Sequence, residues 1–524
     1  MNLPLIFALL FTSAWAAPAN RQLHYLVDSG ALPGLHWPNF TRLQPDVARF
    51  YELNDYRLAW VRSGTITPQA HALMGVLQNA ALKGLDPDDY DGVRWNGSEA
   101  GYERFDLALT VSAMRYMSDV SSGKVDPAVF SFGLHFDQKK CDLAGTLRTL
   151  MSARDVAVEL DPIEPPFEGY WRTQKALAKY LELARQDAAS PDQPTGPAGV
   201  ERRLRMVGDL GPNDTFVNGV KRFQTRHGLD PDGRLGKTTL QELNTPLAAR
   251  VRQLQLVLER WRWVPHSFSR PPIVVNIPEF RLRAYDDQYG PELEMKVVVG
   301  KAYHHKTPVF SSQMTHVILR PYWDVPLSIQ RAELVPKIAQ DPAYLAKNDY
   351  EIVDARRRVV SASAVTSDML AQLRAGKLFI RQIPGDKNAL GHVKFLFPNE
   401  YSVYLHGTPA KSLFLRSRRD FSHGCIRVEK PEELAEWVLR GLPGWDMEHI
   451  QEAENGSDSV RVNLDKPIPV LIVYGTAVVR ENREVFVFDD LYGYDAQLGQ
   501  LLDHGYPYSG WQPTSAARDP RPRE

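Results

Sequence analysis

The hydrophobic period of this chain changes at about residue 271, and that change limits what it can fold into. Before it, apolar residues recur at three- and four-residue steps. PQAHALMGVLQNAALKG (68–84), YERFDLALTVSAMRYMSDVSSG (102–123) and YWRTQKALAKYLELARQ (170–186) read this way, and the first two end in glycine. After it, IVVNI, FRLRAY, LEMKVVVG and THVILRPYWDVP are strand-like and broken by Pro or Gly. The two periods belong to different structures, and 524 residues exceed one core. Residues 187–199, DAASPDQPTGPAG, have the composition of a linker. The expected fold class is multidomain α+β. A helical scaffold domain spans 18–190, a compact helical module 200–246 and a mixed β-sheet domain 271–510. A helical cap insertion at 325–385 interrupts the last of these, and a tail covers 511–524. PVLIVYGTAVV and EVFVFDDLYGY read as a hairpin closing the same sheet.

Composition excludes some partners. The formal net charge is -1, with 24% charged residues, so the chain lacks the basic surface that a nucleic-acid partner needs. Arg416, Arg418 and Arg419 form a local basic cluster that reads equally well as a solvated loop. The apolar run Leu3–Phe11 precedes Ala14-Trp15-Ala16, the pattern of an export signal over residues 1–17, although its start carries no Lys or Arg. Two cysteines are far too few for a disulfide scaffold. Cys141 opens a helix and reads as a structural thiol; no Cys141–Cys425 bond is expected.

The chemistry concentrates in YLHGTPAKSLFLRSRRDFSHGCIRV (404–428). A thiol is mostly protonated at neutral pH and needs a base; a nearby imidazole can take its proton and leave a thiolate–imidazolium pair. Cys425 is the candidate nucleophile and His406, at a strand end, the candidate base. Gly407 permits an unusual turn behind that base. His423 and Gly424 precede the nucleophile, and Gly424 leaves room for a substrate carbonyl. The N–H groups of Gly424 and Cys425 are the expected oxyanion donors, with the Tyr404 hydroxyl, two residues before His406, as a third. Arg427 shares a face with Cys425, either to anchor a carboxylate or to lock the loop. Trp323 in PYWDVP reads equally as a groove-lining and a hinge-packing aromatic. Single Cys or His residues are usually structural; base, nucleophile, glycines and cation on one short segment are a stronger signal.

Two resemblances extend this reading. FQxxHGLxxDGxxGxxT, from Phe223 to Thr239, resembles the three-helix peptidoglycan-binding module of cell-wall enzymes, although each of these residues could simply build the fold. Ser422, His423, Gly424, Cys425 and Arg427, with His406 upstream, resemble the catalytic motif of YkuD-type L,D-transpeptidases. The whole arrangement resembles the large YcbB-type members of that family in Gram-negative bacteria. The resemblance implies attack by Cys425 on the third residue, meso-diaminopimelate, of a tetrapeptide stem, loss of D-Ala, and transfer to a second stem's amine to give a 3→3 cross-link. It implies peptidoglycan as donor and acceptor, carbapenem inhibitors, other wall-synthesis enzymes as partners, and a periplasmic location. No cofactor and no metal are expected.

Alternatives share the thioester: an L,D-carboxypeptidase using water, or an enzyme that attaches lipoprotein to the wall or detaches it. A metal site of His406, His423 and Cys425 fits poorly, because zinc sites use tighter paired spacings. A non-catalytic wall-binding protein would have no need of the SHGC segment.

Overall fold

Tyr102–Ser122 shows why the first half of the chain is predominantly helical. It runs between two positive-φ glycines, Gly101 and Gly123, and is buried almost all round. A helix without a polar face belongs in the centre of a core. Around it pack Leu23, Phe50, Trp60, Leu73, Leu77 and Leu147, all fully buried. Thr67 caps the neighbouring helix Pro68–Gln78 by accepting from Ala70 N, with Pro68 at its first position.

The computed structural model describes residues 20–94, 101–134, 141–189, 196–303, 305–362 and 364–504. The expected export segment 1–17, the tail 511–524 and part of the 187–199 linker lie outside them. The chain divides into two compact units, residues 1–124 with 139–165, and 125–138 with 166–524. This differs from an unbroken domain over 18–190. Phe132 belongs to the core of the second unit, and Gly133 bridges Phe310 there. Helix α1 (Glu168–Ala189) packs along α2 (Leu247–Trp263), also in the second unit. Tyr170, Leu177 and Tyr180 of α1 share a core with Leu254 and Leu258 of α2.

That core also holds the small helical module. Its helices are Pro197–Val207, Phe216–Arg226 and Lys237–Leu243. Val220 and Phe223 are buried, while Phe216 is only partly so. Buried Gln224 ties the module's loop together: its Nε2 donates to Asp232 Oδ1 (2.8 Å), the Arg234 carbonyl (3.0 Å) and Thr239 Oγ1 (3.1 Å). Its Oε1 accepts from Gly233 N (2.8 Å). The polar residues of the motif thus build the fold. Gly228 takes φ +66°, the left-handed conformation that glycine supplies after a helix.

The β-rich region is a nine-stranded mixed sheet among the described residues: β1 (Ile273–Asn276), β2 (Arg281–Tyr285), β3 (Pro291–Gly300), β4 (Phe310–Leu319), β5 (Val393–Leu396), β6 (Leu405–His406), β7 (Asp420–Ser422), β8 (Ile426–Val428) and β9 (Val460–Val473). Their order is β7-β3-β8-β6-β5-β4-β9-β1-β2. A further β2–β3 pairing closes eight strands on themselves, leaving β7 as a parallel branch on β3. The pairs β6–β8 and β9–β1 are also parallel. Val275, Leu282, Val297, Val317, Phe395, Leu405, Ile426 and Ile472 fill the interior. Each such side chain contributes about 1.5–3 kcal/mol by leaving water.

Two expectations change here. The second half of the expected closing hairpin leaves the sheet. Ala477–Val479 and Val485–Val487 pair only with each other, and their buried residues join the α1–α2 core. The chain turns away at Gly475, whose N–H and carbonyl are both held by the Asn276 side chain. The insertion, in turn, is not purely helical. It carries a four-stranded antiparallel sheet ordered Trp323–Asp324, Phe379–Gln382, Tyr350–Val353, Val359–Ser361, with its own core of Leu334, Val335, Ile338, Leu345, Ile352, Leu373 and Ile380. Buried Asn388 donates to the carbonyls of Pro321 (3.1 Å) and Ile383 (2.9 Å), clamping the two chains at the base of this cap.

Candidate active site

The site lies where β5, β6 and β8 run side by side. Lys394 on β5 is in register with His406 on β6, and His406 with Arg427 on β8. Cys425 immediately precedes β8 and is half-buried. The Tyr404 hydroxyl interacts with the Trp323 side chain and with the Cys425 thiol. Sγ also faces the Ser402 carbonyl at 3.7 Å. Trp323 packs against the cap core and also bears on Tyr404.

Electrostatics set the resting protonation. Burial pushes the Cys425 thiol above its ordinary value, against the pull of hydrogen bonds from Tyr404 and the charges of Lys394 and Arg427. Burial pushes His406 down to about 3, with Arg427 and Lys394 adding to the effect and the Gly407 and Leu390 carbonyls opposing it. At neutral pH both groups are uncharged. Both shifts disfavour the expected thiolate–imidazolium pair in the resting site, since a buried ion pair carries a desolvation cost that a neutral pair avoids. His406 Nδ1 lies 2.6 Å from the Gly407 carbonyl. A carbonyl only accepts, so Nδ1 carries the hydrogen and Nε2 is the basic nitrogen.

The SHGC turn is held by its own polar atoms. Ser422 Oγ donates to the Cys425 carbonyl (2.6 Å) and accepts from Gly424 N (3.1 Å). Gly424 N–H is thereby committed, which leaves Cys425 N–H and the Tyr404 hydroxyl as candidate oxyanion donors. Gly424 takes φ +114°, and an added Cβ would find its nearest atoms 3.9 Å away, so conformation rather than space calls for glycine there. Gly407 differs: its φ is not positive, but a Cβ would stand 3.2 Å from the Leu390 carbonyl and 3.3 Å from Pro431. Its glycine permits close packing rather than an unusual turn. His423 Nε2 bonds Glu333 Oε1 of the cap at 2.7 Å.

Several residues of the site escaped the sequence reading. Lys394 sits with Nζ 4.0 Å from the Tyr404 ring centre, its charge disfavoured by burial. A signal existed: it alternates with buried Val393 and Phe395, so its strand position faces away from the core. Thr307 bonds the Gly424 carbonyl (2.8 Å) and accepts from Gly300 N (2.9 Å), while the Tyr492 hydroxyl donates to the Gly300 carbonyl (2.7 Å). These supports are distant in sequence and carry no local pattern. Among the described residues no helix is long and apolar enough to cross a membrane.

Comparison with known proteins gives this geometry a class. The model of the L,D-transpeptidase catalytic domain (YkuD) matches residues 270–462, which contain β1 to β8, the first residues of β9, the cap and the SHGC turn. A scaffold-domain model matches 45–177, and the model described as "Putative peptidoglycan binding domain" matches 213–243. The chain therefore carries an L,D-transpeptidase catalytic domain of the YkuD type, together with a scaffold domain and a peptidoglycan-binding domain. A Haemophilus influenzae protein named "Putative L,D-transpeptidase" is 32% identical over 247 residues, 47% of this chain. The match spans about half the length of that relative, 49%.

Proposed function

We propose that this protein is an exported, periplasmic cell-wall enzyme that forms 3→3 diaminopimelate cross-links in peptidoglycan through a Cys425 thioester. The observation that carries this reading is the Trp323–Tyr404–Cys425 series inside the matched catalytic domain. It presents a neutral, half-exposed thiol just before β8, and β8 runs beside the strand that carries the neutral His406 imidazole.

In the first half-reaction, Cys425 Sγ attacks the carbonyl of the stem's third residue. His406 Nε2 takes the thiol proton and passes it to the leaving D-Ala amine as the C–N bond breaks. Burial holds His406 unprotonated at neutral pH, so its ring nitrogen is free to take a proton once negative charge develops in the site. Cys425 N–H and the Tyr404 hydroxyl offer hydrogen bonds to the developing oxyanion. The amine of a second stem then attacks the thioester carbonyl, releasing Cys425 and forming the cross-link. The cap beside the site would limit competition by water. The same thiol would be acylated by a carbapenem ring.

Mass spectrometry tests this. Residues 18–524 are incubated with disaccharide-tetrapeptide alongside a Cys425→Ala control. The expected product is a dimer with the mass of two monomers less one D-Ala, absent from the control. Tripeptide monomer instead would reassign the enzyme as a carboxypeptidase. Retained turnover in the control would refute the cysteine mechanism.

A further inference from the structure

The two histidines beside the nucleophile are held in different ways. His406 is buried and turned to the Gly407 carbonyl. The His423 side chain is 29% exposed, within reach of an incoming molecule, and its partner is a carboxylate from another part of the fold. Because Glu333 Oε1 accepts from Nε2–H, the His423 Nδ1 lone pair is left as the acceptor.

Glu333 is presented by a single π-helical turn, Gln330–Leu334, an uncommon conformation that recurs at functional sites. Fully buried Gln330 fixes that turn. Its Nε2 donates to the carbonyls of Leu373 (2.8 Å) and Leu378 (3.1 Å), and its Oε1 accepts from Ile380 N (2.8 Å). The Glu333 charge bears on Tyr350 of the cap sheet, and the His305 ring lies 4.8 Å from that of His423. The Glu333 side chain itself remains 41% exposed, a negative charge open to solvent beside the thiol turn.

We infer that His423, oriented by Glu333, accepts the proton of the amine that resolves the thioester. His423 is the proton-accepting group and Glu333 its positioning residue. The inference rests on the function proposed above. An amine acceptor is cationic at neutral pH and first releases one proton to solvent beside the Glu333 carboxylate. Its nitrogen then attacks the thioester carbonyl. The C–N bond forms, the C–S bond breaks, one N–H proton passes to His423 Nδ1, and it returns to the Cys425 thiolate. The thiol is regenerated, and the one net proton released stays in solvent. The two half-reactions thus use different histidines, His406 for acylation and His423 for transfer.

Single-turnover kinetics test this. The 18–524 protein is acylated with a diaminopimelate tetrapeptide and chased with rising concentrations of a diaminopimelate tripeptide, with the Cys425 acyl-enzyme followed by intact mass. Glu333→Gln keeps an amide oxygen to accept from His423 and removes the charge. The expected result is a roughly 10–100-fold fall in the maximal aminolysis rate relative to the acylation rate. The half-saturating amine concentration changes less than threefold, and Glu333→Asp recovers most of the loss. Equal falls in both half-reactions, or an unchanged ratio, would overturn the inference while leaving the proposed function standing. A wild-type protein that forms no acyl-enzyme would overturn both.

Discussion

Asp106 in the first unit and Cys425 in the second are both ionisable groups whose charged forms burial disfavours, yet their surroundings are opposite in design. Asp106 accepts from the Tyr51 hydroxyl (2.8 Å) and Trp60 N (2.7 Å), and Thr110 completes the ring by bonding Tyr51 and the Trp60 indole. Every one of these atoms is buried, and burial raises the carboxyl to about 6. Cys425 also has a raised pKa, but its residue is half-exposed, and the groups around it are a hydroxyl and two cations. A displaced pKa therefore marks burial before it marks chemistry. The second network differs because Cys425 is partly exposed and, in the proposed reaction, carries the atom that reacts.

Removing the reacting atom should have the largest effect. Cys425→Ala should abolish acyl-enzyme formation altogether, as read by intact mass. His406→Ala comes next, with acylation slowed roughly 10²–10⁴-fold, the range for a lost general base. The pH profile sharpens the point. With its pKa near 3, His406 stays neutral through the range where an ordinary imidazole protonates, so the acylation rate should show no acid limb near 6.5. A limb at that pH would show that His406 titrates freely and is not buried as described.

Asp106 should act on stability alone. Asp106→Ala strands the Tyr51 hydroxyl and Trp60 N–H, at a cost of about 2–4 kcal/mol in unfolding free energy. The rate of acylation per folded molecule should not change. The sign of the pH effect follows from the raised pKa. Between the ordinary 3.8 and about 6 the folded chain keeps a proton that the unfolded chain has lost, so stability falls as pH rises through this window. Asp106→Asn cannot titrate and should flatten that slope in a denaturant series.

The comparison also explains what could be read in the sequence. The SHGC turn was legible because nucleophile, glycine and cation fall within one short segment, and strand alternation placed Tyr404 and His406 together. Trp323 was legible only as an aromatic of uncertain role, since its partner Tyr404 lies beyond the whole cap. The alternation around Lys394 shows only that it faces away from the core, and Thr307, Glu333 and Tyr492 were not legible, because their value comes from pairings across the sheet and cap that no local period encodes. Two strands inside the cap, Tyr350–Val353 and Val359–Ser361, were missed because their segments are short and lie between helical stretches, whereas KLFIRQ reads as the strand it forms. The hairpin was misplaced because its alternation shows a buried face but not which core buries it.

The smallest effect tests the finest part of the comparison, the claim that Tyr404 tunes the thiol rather than merely packing beside it. Tyr404→Phe keeps the ring, and with it the Lys394 contact, but removes the hydroxyl that links Trp323 to Cys425. That hydrogen bond works against burial, so its loss should drive the thiol pKa further up. Iodoacetamide alkylation of Cys425 reports this directly, because only the thiolate reacts. The wild-type rate should keep climbing as pH passes 9, and the variant's curve should lie to the alkaline side of it. Acylation by the tetrapeptide should fall about tenfold, the weight of one hydrogen bond of about 1–1.5 kcal/mol. An unmoved alkylation curve with slower acylation would assign the hydroxyl to the oxyanion alone. A curve displaced to lower pH would mean that the Tyr404 hydroxyl stabilises the thiol over the thiolate, reversing its place in the network.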